Sequence, residues 1–133
     1  MDTTILERIF EHNNWANALI IQACSTLDDE QLDAEPSSAT KGTIRQTLAH
    51  LVNSEHNYLS DLVDPQARFN WQAPPSITEL RQVALTTGEK FLTLVKDASN
   101  PSLQTQVYTD DGYTIEPWVI VLQAINHATE HRE

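Results

Sequence analysis

Apolar residues recur at steps of three and four in four separate stretches of the chain, a spacing that gathers them on one face of an α-helix. In the first stretch Ile5, Ile9, Ala16, Leu19, Ile20, Ala23 and Leu27 predict a helix from about Thr4 to Leu27, with Thr4 and Glu7 spaced for a capping box. In the second, Ile44, Leu48, Leu51, Val52, Leu59 and Leu62 predict a helix from Thr43 to about Val63, opened by a Thr43–Gln46 box. Asp64-Pro65 ends it, since proline disfavours helical geometry in the residue before it. The third stretch carries Ile77, Leu80, Ala84, Phe91, Val95 and Ala98 inward and predicts a helix from Ser76 to Ala98, with Ser76 and Glu79 as a third box. Gly88 interrupts it at a cost of about 1 kcal/mol against alanine, and either permits close helix contact or carries no particular role. The fourth helix starts at Glu116 or Pro117, proline being favoured in the first turn, and runs through Trp118, Val121, Leu122 and Ile125 to His131.

Between these helices the pattern lapses. Residues 28–42 offer only Leu32 as an anchor and read as a long loop with at most one short turn. Residues 102–116 differ: Gln106–Tyr108 and Tyr113–Ile115 flank Asp111-Gly112, as in a small hairpin or extended loop. A lone hairpin is marginal, so it must lean on the helices. Four amphipathic helices with no other strands predict an all-α four-helix bundle. A chain of 133 residues suits a single domain over residues 1–133 with one core. The fourth helix, at about 25 Å, is shorter than the first, at about 36 Å, by the rise of 1.5 Å per residue. His131-Arg132-Glu133 carries no stop signal. The expectation is that the last helix continues in a longer natural chain, or that a partner subunit covers the exposed end of the first helix, as a homodimer would.

Composition narrows the function. With 3 glycines and 6 prolines the chain is neither fibrous nor disordered, and no 18-residue apolar run predicts a membrane span. The first 15 residues lack the basic start and apolar run of a secretory signal, so a cytoplasmic location is expected. A net charge of -11, from 19 acidic and 8 basic side chains, argues against nucleic acid or an anionic membrane as partner. Asp28, Asp29, Glu30, Asp33 and Glu35 form an acidic linker read as a solvated loop. Cys24 is the only cysteine, which excludes an intrachain disulfide, and it reads as a small apolar filler. The three tryptophans, Trp15, Trp71 and Trp118, read as packing residues.

The candidate chemistry lies in the histidines. His127 and His131 are four apart and lie one turn apart on the same side of the last helix, where both can reach one metal ion. The spacing alone is a weak signal. HATEH is not the zincin motif, because its glutamate stands at 130 and points away from the histidine face. A third ligand must come from another helix, and His50 on the second is available. At about 100° per residue His50 lies well off that helix's apolar stripe, which argues against a deep-core ligand and leaves a groove-side one open without deciding it. His12, Asn13 and Asn17 border the first helix's stripe and are candidates for lining a pocket that faces the metal. His56 points away from His50 and is not expected to be a ligand. Tyr108 and Tyr113 flank a turn that could close over a pocket.

The segments GTIRQTLAHLVNSEHNYL (42–59) and AINHATEHR (124–132), with HNNWANALI (12–20) before them, resemble the DinB/YfiT-like family, whose members are regarded as metalloenzymes. The likeness implies a four-helix bundle with a three-histidine metal site, one ligand on the second helix and two on the fourth. Carried over, these are His50, His127 and His131. The family's last helix usually continues through a His-Arg-Gly-Gln block, whereas here the chain reads His131-Arg132-Glu133.

Three neutral imidazoles leave a divalent ion its full charge and an open coordination position, as in catalytic zinc sites. Zinc and nickel suit such donors well, with iron and cobalt as alternatives. No side chain stands out as a nucleophile, so no catalytic residue is assigned, and water or a low-molecular-weight thiol becomes the natural reactant. The resulting expectation is a metal-dependent enzyme, a hydrolase or a thiol-dependent transferase acting on small electrophilic molecules. The alternatives are a non-catalytic metal-binding or stress-response bundle and a metal-free helical interaction module.

Overall fold

The computed structural model describes residues 3–37, 42–109 and 111–133, with side chains from Ile5 onward. The expected Thr4–Glu7 box lies outside the described side chains, as do residues 38–41 of the loop. Four long helices form the bundle: α1 (Thr3–Cys24), α3 (Ile44–Val63), α4 (Ile77–Val95) and α5 (Pro117–Arg132). A one-turn helix, α2 (Asp29–Leu32), lies in the first loop. Two 3-10 turns, Pro65–Ala67 and Pro101–Leu103, follow α3 and α4. Strands β1 (Val107–Tyr108) and β2 (Thr114–Ile115) pair antiparallel before α5, with Val107 opposite Ile115. They do lean on the bundle, because Val107 and Ile115 pack against its core.

The helix starts follow their local chemistry. Thr43 accepts from the Gln46 backbone and the Gln46 side chain accepts from Thr43 N, so the box at α3 is complete. At α4 only half of the expected box forms: Ser76 Oγ accepts from Glu79 N, with no return bond from the glutamate. The helix also stops at Val95, which leaves Ala98 exposed outside it. In the first loop Leu32 is buried, as its anchoring requires. The acidic linker is more than a solvated loop. Asp29 and Asp33 each bond the buried Arg45 guanidinium at 2.7 Å, which also donates to Pro75 O at 2.8 Å.

α1 and α3 each pack against both α4 and α5. The core comprises two apolar clusters. One gathers Phe10, Leu59, Leu62, Phe91, Leu94, Val95, Ile120, Val121 and Ala124. The other gathers Ile21, Leu48, Leu51, Val52 and Leu80, and α5 contributes nothing to it. Trp71 closes its side, donating its indole N–H to Ala49 O at 3.0 Å. Between the clusters along the helices lie Asn13 and Asn17 of α1, Glu55 of α3 and Thr87 of α4, all buried.

This polar layer corrects the stripe expected for the first helix. The inward face is Phe10, Asn13, Asn17 and Ile21, and Ile5, Leu19 and Ala23 are exposed. The centre of α1's buried face is polar, which moves its direction away from the apolar residues alone. For the same reason Trp15 is turned outward, 60% exposed, and Trp118 is likewise exposed, so only Trp71 packs as expected. Gly88 does serve close contact. Asn14 of α1 donates to Gly88 O at 2.9 Å, and a Cβ at Gly88 would lie 2.6 Å from Asn14 Oδ1. Cys24 is half-buried against the second cluster, and burial raises its thiol pKa.

Candidate metal centre

α3 and α5 pack along their length, and His50 on one meets His127 and His131 on the other. His127 Nε2 is 3.1 Å from His50 Nε2 and 3.1 Å from His131 Nε2. One ring nitrogen of each residue lies within 4.8 Å of the others. His50 is exposed and the other two are half-buried, in keeping with a groove position rather than a deep one.

The spacing fits a cation. Nitrogens about 2.05 Å from a tetrahedral zinc stand about 3.3 Å apart. A single imidazole nitrogen carries one hydrogen or one lone pair. His127 Nε2 therefore cannot satisfy two neighbouring Nε2 atoms at 3.1 Å in the way that an ion held by all three would. Coordination through Nε2 of His50 requires its proton on Nδ1, and Ser54 Oγ lies 3.4 Å from that atom. The cluster is thus able to coordinate a divalent ion.

Other expected positions fall elsewhere. His12 is exposed beside Trp15 and lines a cavity of about 380 Å³ between α1 and α5 that none of the three clustered histidines lines. Its expected place in a pocket facing the metal is therefore not met. His56 directs Nε2 at Ala67 O, 2.9 Å away, with its ring edge-on to Phe69. Asn53 of α3 donates its amide N–H to Phe69 O. Glu130 is exposed. Tyr108 and Tyr113 are 82% and 67% exposed; Tyr108 lines a cavity between α3, α5 and the hairpin, and Tyr113 does not.

The sequence reading missed a network beside the triad. Asn13 Nδ2 donates to Glu55 Oε1 at 2.5 Å, and Asn17 Nδ2 donates to Oε2 at 3.1 Å. Arg132, next to His131, donates through one nitrogen to Asn13 Oδ1 at 2.8 Å and Asn17 Oδ1 at 2.6 Å. Burial pushes the Glu55 carboxyl from 4.5 up to about 7, against the pull of the Asn13 bond and the Arg132 charge. Burial likewise lowers the Arg132 pKa, opposed by Glu55. The only local hint in the sequence was the pair of asparagines at i and i+4.

The DinB family model matches residues 1–132. A search of curated proteins finds no match.

Proposed function

Given that this chain belongs to the DinB family, we propose that His50, His127 and His131 hold one divalent ion, zinc or nickel, and that the site serves a metal-dependent enzyme acting on a small molecule. The convergence of the three Nε2 atoms carries this reading. Three imidazoles leave a coordination position for an exchangeable ligand. When bound, the ion would supply Lewis acidity, enough to favour hydroxide or a thiolate near neutral pH. The chain's own part is to present three neutral nitrogens from two packed helices, with Ser54 Oγ within reach of His50 Nδ1 to accept its proton's hydrogen bond when Nε2 is the ligand atom. With no nucleophilic side chain in the cluster, the attacking group comes from outside, and a low-molecular-weight thiol attacking a small electrophile is the reaction we favour.

Plasma mass spectrometry on tag-free protein tests the site. About one zinc or nickel per chain is expected, lost in a His50→Ala/His127→Ala/His131→Ala variant that keeps its helical spectrum. A chain that takes up no metal after reconstitution would refute the reading.

A further inference from the structure

We propose that the cavity bounded by α3, α5 and the β1–β2 hairpin is the substrate groove of this metal site, and that it selects a molecule with a metal-binding head and an uncharged aromatic body. The proposal rests on the metal reading above and adds the ligand class to it.

Four observations carry it. The first is continuity. His50, Ser54, Tyr58 and Asp61 follow one another at i, i+4, i+8 and i+11, a single face of α3, and Gln123 lies one turn before His127 on α5. Tyr58, Asp61 and Gln123 all line the cavity. The Tyr58 ring also stands edge-on to His127, with centroids 5.8 Å apart, so it borders both cavity and triad. The second is size: about 470 Å³, within the span of small-molecule sites at about 300–1,000 Å³.

The third is the wall. Val107, Ile115, Val119 and Ile120 supply apolar lining in the same cavity as the Tyr58 and Tyr108 rings, which suits a flat ring. The fourth is charge. Asp61 and Arg68 both line the cavity, and one Arg68 nitrogen bonds both Asp61 oxygens, at 2.5 and 2.6 Å. The two charges offset each other, so the body has no net charge to answer.

Two probes on the zinc-loaded protein test this by calorimetry: acetohydroxamate, a metal-binding head with a methyl, and benzohydroxamate, the same head with a ring. Benzohydroxamate should bind about tenfold tighter, the gain expected when a ring rather than a methyl is taken out of water. In Tyr58→Ala the ratio of the two dissociation constants should fall towards one. Val119→Trp, which fills the cavity from a partly exposed position, should do the same by obstruction, with zinc content measured alongside. A tenfold preference that survives both variants places the ring elsewhere and overturns the groove. Equal binding of the two probes by the unaltered protein overturns it as well. Failure of acetohydroxamate itself to bind zinc-loaded protein strikes at the open coordination position instead, and the groove falls with it.

Discussion

Replacing Glu55 by glutamine should change how stability depends on pH, by an amount the structure sets. Glu55 is 2% exposed, and its carboxyl is held at about 7 against an ordinary 4.5, chiefly because burial disfavours the charge. A carboxyl raised on folding keeps its proton in the folded chain over a range where the unfolded chain has lost it. Stability is therefore full below about 4.5 and falls as pH rises to about 7. At about 1.4 kcal/mol per pH unit the whole interval corresponds to about 3 kcal/mol. For 133 residues, each contributing about 2.1 cal/mol/K of unfolding entropy, that is about 10 °C in Tm. Glutamine does not titrate. Like protonated Glu55, it offers the two asparagine amides one oxygen and one opposing donor. Metal-free Glu55→Gln should therefore match the unaltered protein near pH 5 and exceed it by about 3 kcal/mol near pH 8. Urea unfolding of both proteins in chelator, at unit steps of pH, measures the difference. A difference that stays flat, or that grows in favour of Glu55 as pH rises, refutes the reasoning. The Asn13 bond and the Arg132 charge would then outweigh burial.

Two further outcomes concern packing. Gly88→Ala should destabilise by about 1–2 kcal/mol, because the new Cβ displaces the Asn14 amide and breaks its bond to Gly88 O. In an Asn14→Ala background the same change should instead stabilise by up to about 1 kcal/mol through helix propensity, and equal effects in both backgrounds would contradict the contact. Arg45→Met should lower the urea-derived stability by about 2–3 kcal/mol, since it strips Pro75 O of its donor and releases Asp29 and Asp33. A loss below about 0.5 kcal/mol would show that the linker is not pinned by these bonds.

What the sequence showed was local. The Thr43–Gln46 box, the stop at Asp64-Pro65 and the Pro117 start depend on residues within one turn, and each stands where the pattern put it. His127 and His131 were visible for the same reason, whereas singling out His50 required family resemblance, because 77 positions separate it from His127. The inward face of α1 was misread because Asn13 and Asn17 look like surface residues until a carboxylate 42 and 38 positions away is known to meet them. Arg45 was hidden similarly: its partners Asp33 and Asp29 lie 12 and 16 residues away, across a loop with no periodicity.

The polar layer also explains a feature that the apolar pattern leaves open, namely what fixes the helices along their axes. Apolar clusters such as those around Phe91 and Leu51 tolerate sliding, since one aliphatic contact resembles another. The hydrogen-bonded layer does not, for it has one direction only. Arg132 has donors and no acceptor, and Glu55, where it is ionised above about pH 7, has acceptors and no donor. Both asparagines must therefore turn their oxygens to α5 and their nitrogens to α3. A shift of α1, α3 or α5 by one turn would pull these groups out of reach and leave a buried carboxylate unpaired, which costs far more than an exchanged methyl contact. The second cluster has no residue from α5, so Arg132 is the point at which the last turn of that helix engages the centre of the bundle. His131 occupies the preceding position. The bonds that hold Arg132 thus also hold the backbone that brings His131 to His127 and His50.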